Sequence, residues 1–213
     1  VAKAAGKGEG RWLIPLVLTF IGAVVLVGLI LALYRPFQEE AAEGVAPQYL
    51  PAALAEGATA KGVYAAAMEE ARSWQPDGQL AIVAAHWRTR ERQWPANVSW
   101  MFQFYSPSTR RLAVIVVDKG RARLLSESPT PYSLPTIDQE QWQVDSLAAL
   151  NTWWNLGGGT FVSLNPELDL TAQLRPVQDA QAGDRLVWSV VGVVGSQVKR
   201  LTIDGTTGEP VQG

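Results

Sequence analysis

The chain has 213 residues, with 18 Lys and Arg against 20 Asp and Glu, one His and no Cys. Without cysteine there is no disulfide framework, iron–sulfur cluster or thiolate zinc site, and one histidine cannot build a His-rich metal centre. The net charge of −2 and a pI near 5.5 argue against nucleic acid as a partner.

Residues 1–11 carry Lys3, Lys7 and Arg11 against Glu9 and are expected to lie in the cytoplasm. From Trp12 to Tyr34 the chain reads WLIPLVLTFIGAVVLVGLILALY, without a charge. At roughly 1.5 Å per residue that run reaches about 34 Å as a helix, enough for a hydrocarbon core of about 30 Å. Trp12 and Tyr34 fall at its ends, where amphipathic rings prefer the headgroup level. The run is longer than the apolar core of a signal peptide, so a retained single-pass anchor is expected. The basic residues on its N-terminal side orient it, with everything after residue 34 extracytoplasmic. Gly22, Gly28 and Ala32 are small, and Gly28 and Ala32 share one helix face, where another membrane helix could approach closely.

Residues 35–62, rich in Ala, Glu, Pro and Gly, read as a stalk with a short helix near Leu54. Two α+β units should follow, 63–125 and 138–213, joined by a Pro-rich linker over 126–137. The first opens with a helix over 63–74, then the strands QLAIVAAHW, VSWMFQFYS and RLAVIVVDKG. The second opens with DSLAALNTWWNL, a helix that Asp145 or Ser146 can cap. After GGG come an expected strand TFVSL, a further strand in the excursion that follows, then RLVWSVVGVVG and VKRLTIDG. Landmarks repeat in order: Trp74 stands four residues before Gly78, and Trp154 four before Gly158. Trp100, Phe102 and Phe104 alternate as core-facing strand residues should. The fold class expected is α+β: one N-terminal transmembrane helix followed by two helix-plus-antiparallel-sheet repeats.

The last strand ends in a hydrophobic–Asp–x–x–Thr–Gly–Glu pattern, here Ile203, Asp204, Thr207, Gly208 and Glu209. With the preceding helix and hairpin, it resembles the PepSY domain within the broader cystatin-like shape. The resemblance covers roughly the last 70 residues; the first unit has Asp118 and Gly120 but no Thr-Gly-Glu. It implies an extracytoplasmic module, often membrane-anchored, associated with peptidase inhibition or sensing and without agreed catalytic residues.

The chemistry-bearing candidates read as structural. Asp204–Gly205 is a tight-turn signal. The residues after it lack the alternating oxygen ligands of a calcium loop and the lysine of a phosphate loop. GGG at 157–159 follows a helix, the wrong end for an anion. His86 has no nucleophile elbow in the sequence to serve. Asn97 opens a formal glycosylation sequon beside a strand. Charge is polarised: residues 86–123 carry net +6 and residues 124–213 net −6. Arg88, Arg90, Arg92, Arg110, Arg111, Arg121 and Arg123 are the candidates for contact with acidic protein surface or anionic lipid.

The function expected is a non-catalytic, single-pass accessory subunit of a multisubunit membrane complex, respiratory or photosynthetic by conjecture. No cofactor or metal is expected. Its partners would be other integral membrane subunits through the helix and extracytoplasmic proteins through the α+β repeats. The alternative is a free-standing PepSY-like peptidase inhibitor or envelope sensor.

Overall fold

The computed structural model describes residues 50–90, 94, 98–179 and 183–211. The expected span, with Trp12, Gly22, Gly28, Ala32 and Tyr34, lies outside them, as does Arg92. Among the described residues no helix is long and apolar enough to cross a membrane.

Two helices come first, α1 (Ala52–Ala55) and α2 (Ala60–Trp74). Thr59 caps α2 by accepting from the Gly62 N–H at 3.1 Å. Ala60, Ala67 and Ala71 are fully buried along one side of α2, and their small side chains let it lie close to the strands below. Leu54 of α1, in the segment expected as stalk, is also buried.

Four strands follow as an antiparallel meander: β1 (Gln79–Arg88), β2 (Trp100–Ser106), β3 (Arg111–Asp118) and β4 (Arg121–Pro129). β4 takes up residues 126–129, which the sequence assigned to a linker. The chain then recrosses, burying Ile137 and Trp142, to α3 (Ser146–Trp153). A distorted turn leads to α4 (Gly159–Leu164) and a second meander of β5 (Asp169–Asp179), β6 (Gly183–Val194) and β7 (Gln197–Asp204).

The expected fold of two repeats, each with its own sheet, is corrected here. β1 pairs antiparallel with β5 from Val83↔Leu174 to Arg88↔Asp169, and this seam fuses the meanders into one seven-stranded sheet, β4-β3-β2-β1-β5-β6-β7. The physical reason lies in β1. Its outer flank would be an unpaired edge in an isolated unit, and edges of apolar strands are liabilities that proteins cover. Pairing with β5 turns the edges of both halves into the middle of the sheet. The expected strand TFVSL is also corrected: these residues belong to α4. Gly157 takes φ 96° and breaks the first helix, but Gly158 and Gly159 return to helical angles, so the backbone resumes a helix.

The core sits between the helices and one face of the sheet. Trp100, Phe102 and Phe104 point into it, with exposures of 1, 0 and 0 %. Trp100 stacks edge-on against Trp87 (5.8 Å) and Trp188 (6.3 Å), so indoles meet from both sides of the seam. Ala85 and Ala172, paired across the seam, supply the small floor beneath. Trp100 and Trp188 donate their N–H groups to the carbonyls of Ala58 and Val144, which removes the penalty of burying them.

The starts of α2 and α3 share one cap. Asp145 Oδ1 accepts from the N–H groups of Ser146 (2.7 Å) and Lys61 (3.1 Å), and Ser146 Oγ accepts from Ala60 N–H (3.0 Å). Residues that would otherwise leave helix-end donors unmet thus tie the two halves together.

Candidate functional site

The turn Asp204–Glu209 is structural in its geometry. Asp204 Oδ1 accepts from the N–H groups of Thr206 (2.8 Å) and Thr207 (2.9 Å), and Gly208, at φ 81°, donates to the Asp204 carbonyl (2.9 Å). The chain then returns alongside β7: Glu209 O accepts from Asp204 N–H, and Val211 N–H donates to Thr202 O. Gly205 is pressed against Leu186, where a Cβ would lie 3.0 Å from a backbone oxygen. One oxygen of the Asp204 carboxylate is held by its own loop, and the loop covers part of the β7 edge.

The other outer edge is blunted. β4 pairs with β3 through a register shift between Val114 and Ile115, and the Leu124 N–H is taken by Glu70 Oε1 at 3.2 Å. A bulge and a side-chain cap make this edge a poor template for strand addition.

The sequence-selected arginines divide between regions of the fold. Arg88, at the end of β1, forms a two-pronged contact with Asp169, from Nε at 2.8 Å and Nη2 at 3.5 Å. That contact holds the Asp169 carboxyl below the usual carboxylate range and raises Arg88. Arg121 and Arg123 are exposed on β4, near the same end of the sheet, and Arg90 is exposed just beyond β1. Arg110 and Arg111 stand at the opposite end, the length of β3 away. Arg111 turns to the helix-covered face, where it meets Glu127 at 2.8 Å, and Glu127 also accepts from the Trp74 indole. The structure therefore gathers Arg88, Arg121 and Arg123 on one face and separates Arg110 and Arg111 from them.

His86 lies two residues before Arg88 on the same face of β1. Its Nδ1 is 3.1 Å from Thr171 Oγ1 and its Nε2 3.3 Å from Asp169 Oδ1. A hydroxyl, an imidazole and a carboxylate in a row are the parts of a proton relay. Two features weaken this one. The Asp169 carboxylate is already bound by the Arg88 guanidinium. Thr171 sits mid-strand between β1 and β6, where ladder pairing with His86 and Val191 commits the backbone N–H groups that an oxyanion would need. Sequence reasoning missed Asp169 and Thr171 because they reach His86 only through the β1–β5 seam.

The largest feature without a structural explanation is the second face of the sheet. α1, α2, α3, α4 and the crossing segment contribute to one hydrophobic cluster on one face. Among the described residues no helix covers the other. Registry puts Ile82 of β1, Met101 of β2, and Leu112, Val114 and Val116 of β3 half-buried on that open side, with Ala84 buried between them. Val191 and Val193 of β6 lie there half-buried too, beside buried Val187, with Val198 of β7 at 57 % exposure. β3 is thus apolar on both faces over residues 112–117, the pattern of a strand covered on both sides, and β6 sets valines on the open side around Ser189. A polar band of Thr171, Gln173, Ser189 and Thr202 crosses the same face.

No protein-family model and no curated protein matches the chain. Among solved structures, a "putative lipoprotein" of Clostridium difficile 630 is similar at 9 % identity, over 70 % of this chain and 90 % of that one, with a TM-score of 0.43.

Proposed function

We propose that this chain is a non-catalytic accessory subunit of a membrane protein complex. Residues 12–34 anchor it, and its α+β fold works outside the cytoplasm by holding other proteins. The observation that carries the reading is the open face: apolar residues of β3 and β6 on the side that the described helices leave uncovered. An uncovered apolar sheet of this size is unfavourable in water and marks a contact surface. Two further observations support a role without chemistry. One oxygen of the Asp204 carboxylate accepts from its own turn, and strand pairing commits the backbone of Thr171, beside His86, to the sheet ladder.

Extraction of the full chain from its native membrane in mild detergent tests this reading. The expected result is stoichiometric co-migration with larger membrane subunits. A chain that runs alone, or with a peptidase, speaks for a free-standing regulator and against the proposal.

A further inference from the structure

The arginines on the open face specify what kind of surface covers it. Registry places Arg88, Arg121, Arg123, Arg175, Arg185 and Arg200 on that side, against Asp118, Asp169, Asp179 and Asp204, so the strand positions of this face carry more guanidinium groups than carboxylates. No lysine shares the strand positions of this face: Lys199 alternates to the helix side, near Gly157, and Lys119 belongs to a turn. Guanidinium groups are enriched and ammonium groups depleted where proteins meet, because the planar fork binds carboxylates in pairs and sheds water more readily.

The dimensions fit as well. Seven strands about 4.8 Å apart, each about nine residues long at about 3.3 Å per residue, make a face of roughly 1,000 Å². One side of a standard protein interface is about 800 Å².

We infer that the open face docks a different protein, one whose contact surface has an apolar patch bordered by carboxylates. This rests on the accessory-subunit reading and adds where the partner binds and what it carries. The apolar patch would meet Met101, Val114 and Val116 on β2 and β3, and the carboxylates would meet Arg121 and Arg123 on the β4 edge beside them. A second copy of this chain fits badly, since face-to-face association sets one guanidinium excess against another. A lipid surface fits badly too, because hydrocarbon offers the Gln173, Ser189 and Thr202 side chains no hydrogen-bond partners.

Site-specific photo-crosslinking of the full chain in its native membranes tests the inference. A photoreactive residue is placed at Val116, Met101 or Val191 on the open face, and at Ala65 or Asn151, exposed on the helices. The open-face positions should give one protein adduct of a single mass. The partner peptide should contain Asp or Glu beside apolar residues. The yield should fall at least tenfold when Arg121→Glu and Arg123→Glu are combined, and the helix positions should give no adduct. Adducts with lipid, with a second copy, or with residues 1–49 of the same chain would overturn the assignment. So would a yield indifferent to the arginine changes. Adducts from the helix positions alone would sink this docking face but leave the accessory-subunit reading standing; no adduct from any position would sink both.

Discussion

Gly158→Ala sets two forces of opposite sign against each other. Gly158 has helical angles, φ −61° and ψ −41°, and leads into α4. On helix propensity alone, alanine should stabilise such a position by about 1 kcal/mol. Packing says the reverse. A Cβ at Gly158 would stand 2.5 and 2.6 Å from Cδ2 and Cζ3 of Trp153, and closer still to Cε3. Carbon atoms in contact sit about 3.5–4.0 Å apart, so the indole would have to move by about 1 Å or more. It has little room to do so. Trp153 is fully buried, Gly192 presses on its Cζ2 side with a Cβ position only 3.0 Å away, and its N–H donates to Lys199 O at 3.3 Å. Overpacking of this kind costs about 1–3 kcal/mol, and expelling the ring costs about 3–5 kcal/mol. Because the ring has little room, the larger figure applies, and less the propensity gain it leaves a net destabilisation of about 2–4 kcal/mol, read by urea denaturation of the full chain in mild detergent. Combined with Trp153→Phe, the change should cost markedly less than the sum of the two single substitutions, because the smaller ring leaves space. A Gly158→Ala chain as stable as the parent, or more so, would refute the packing argument.

Three further outcomes follow from local geometry. Ser146→Ala removes the buried acceptor of the Ala60 N–H and should cost about 1–3 kcal/mol in the same denaturation experiment; a loss below about 0.5 kcal/mol would mean that the shared cap carries little. Lys119 (φ 49°) and Gly120 (φ 75°) form the tight turn between β3 and β4, where asparagine tolerates a positive φ better than lysine, so Lys119→Asn should raise stability by about 0.5–1 kcal/mol. Asp77 accepts from Ser106 Oγ (2.7 Å) and Ser108 N–H (2.9 Å), and these bonds, the Ser106 hydroxyl foremost, lower its pKa. A depressed folded-state pKa gives stability that is present above the unfolded value of about 3.9 and is lost as pH falls through the folded value. Melting temperature should therefore drop more steeply below about pH 4 in the parent than in Asp77→Asn, and parallel curves would contradict that assignment.

Local structure was legible where a single pattern governed it. Alternation of Trp100, Phe102 and Phe104 placed β2, the Asp145–Ser146 pair marked the start of α3, and Asp204–Gly205 marked the closing turn. What the pattern could not show was which strands meet. The β1–β5 seam joins residues 81 to 91 positions apart, and nothing within either strand names its partner. That seam decides that the two halves share one sheet and brings Asp169 and Thr171 to His86. GGG misled for a local reason: one of its glycines breaks the helix at positive φ, whereas another is glycine because the Trp153 ring lies against it. The open face left a signal in the sequence, since LAVIVV and VVGVV are apolar at both parities. Its meaning emerged only once the helices were seen to cover one side.

Whether the open face holds a partner is measured most directly by the size of the particle extracted gently from native membranes. The full chain and Val116→Glu would be compared side by side, with melting curves to confirm that both are folded. The account predicts that the parent travels in a larger assembly and that Val116→Glu leaves it while losing no more than about 1 kcal/mol of stability. A parent chain that travels alone, or a folded Val116→Glu chain that stays in the assembly, would contradict it.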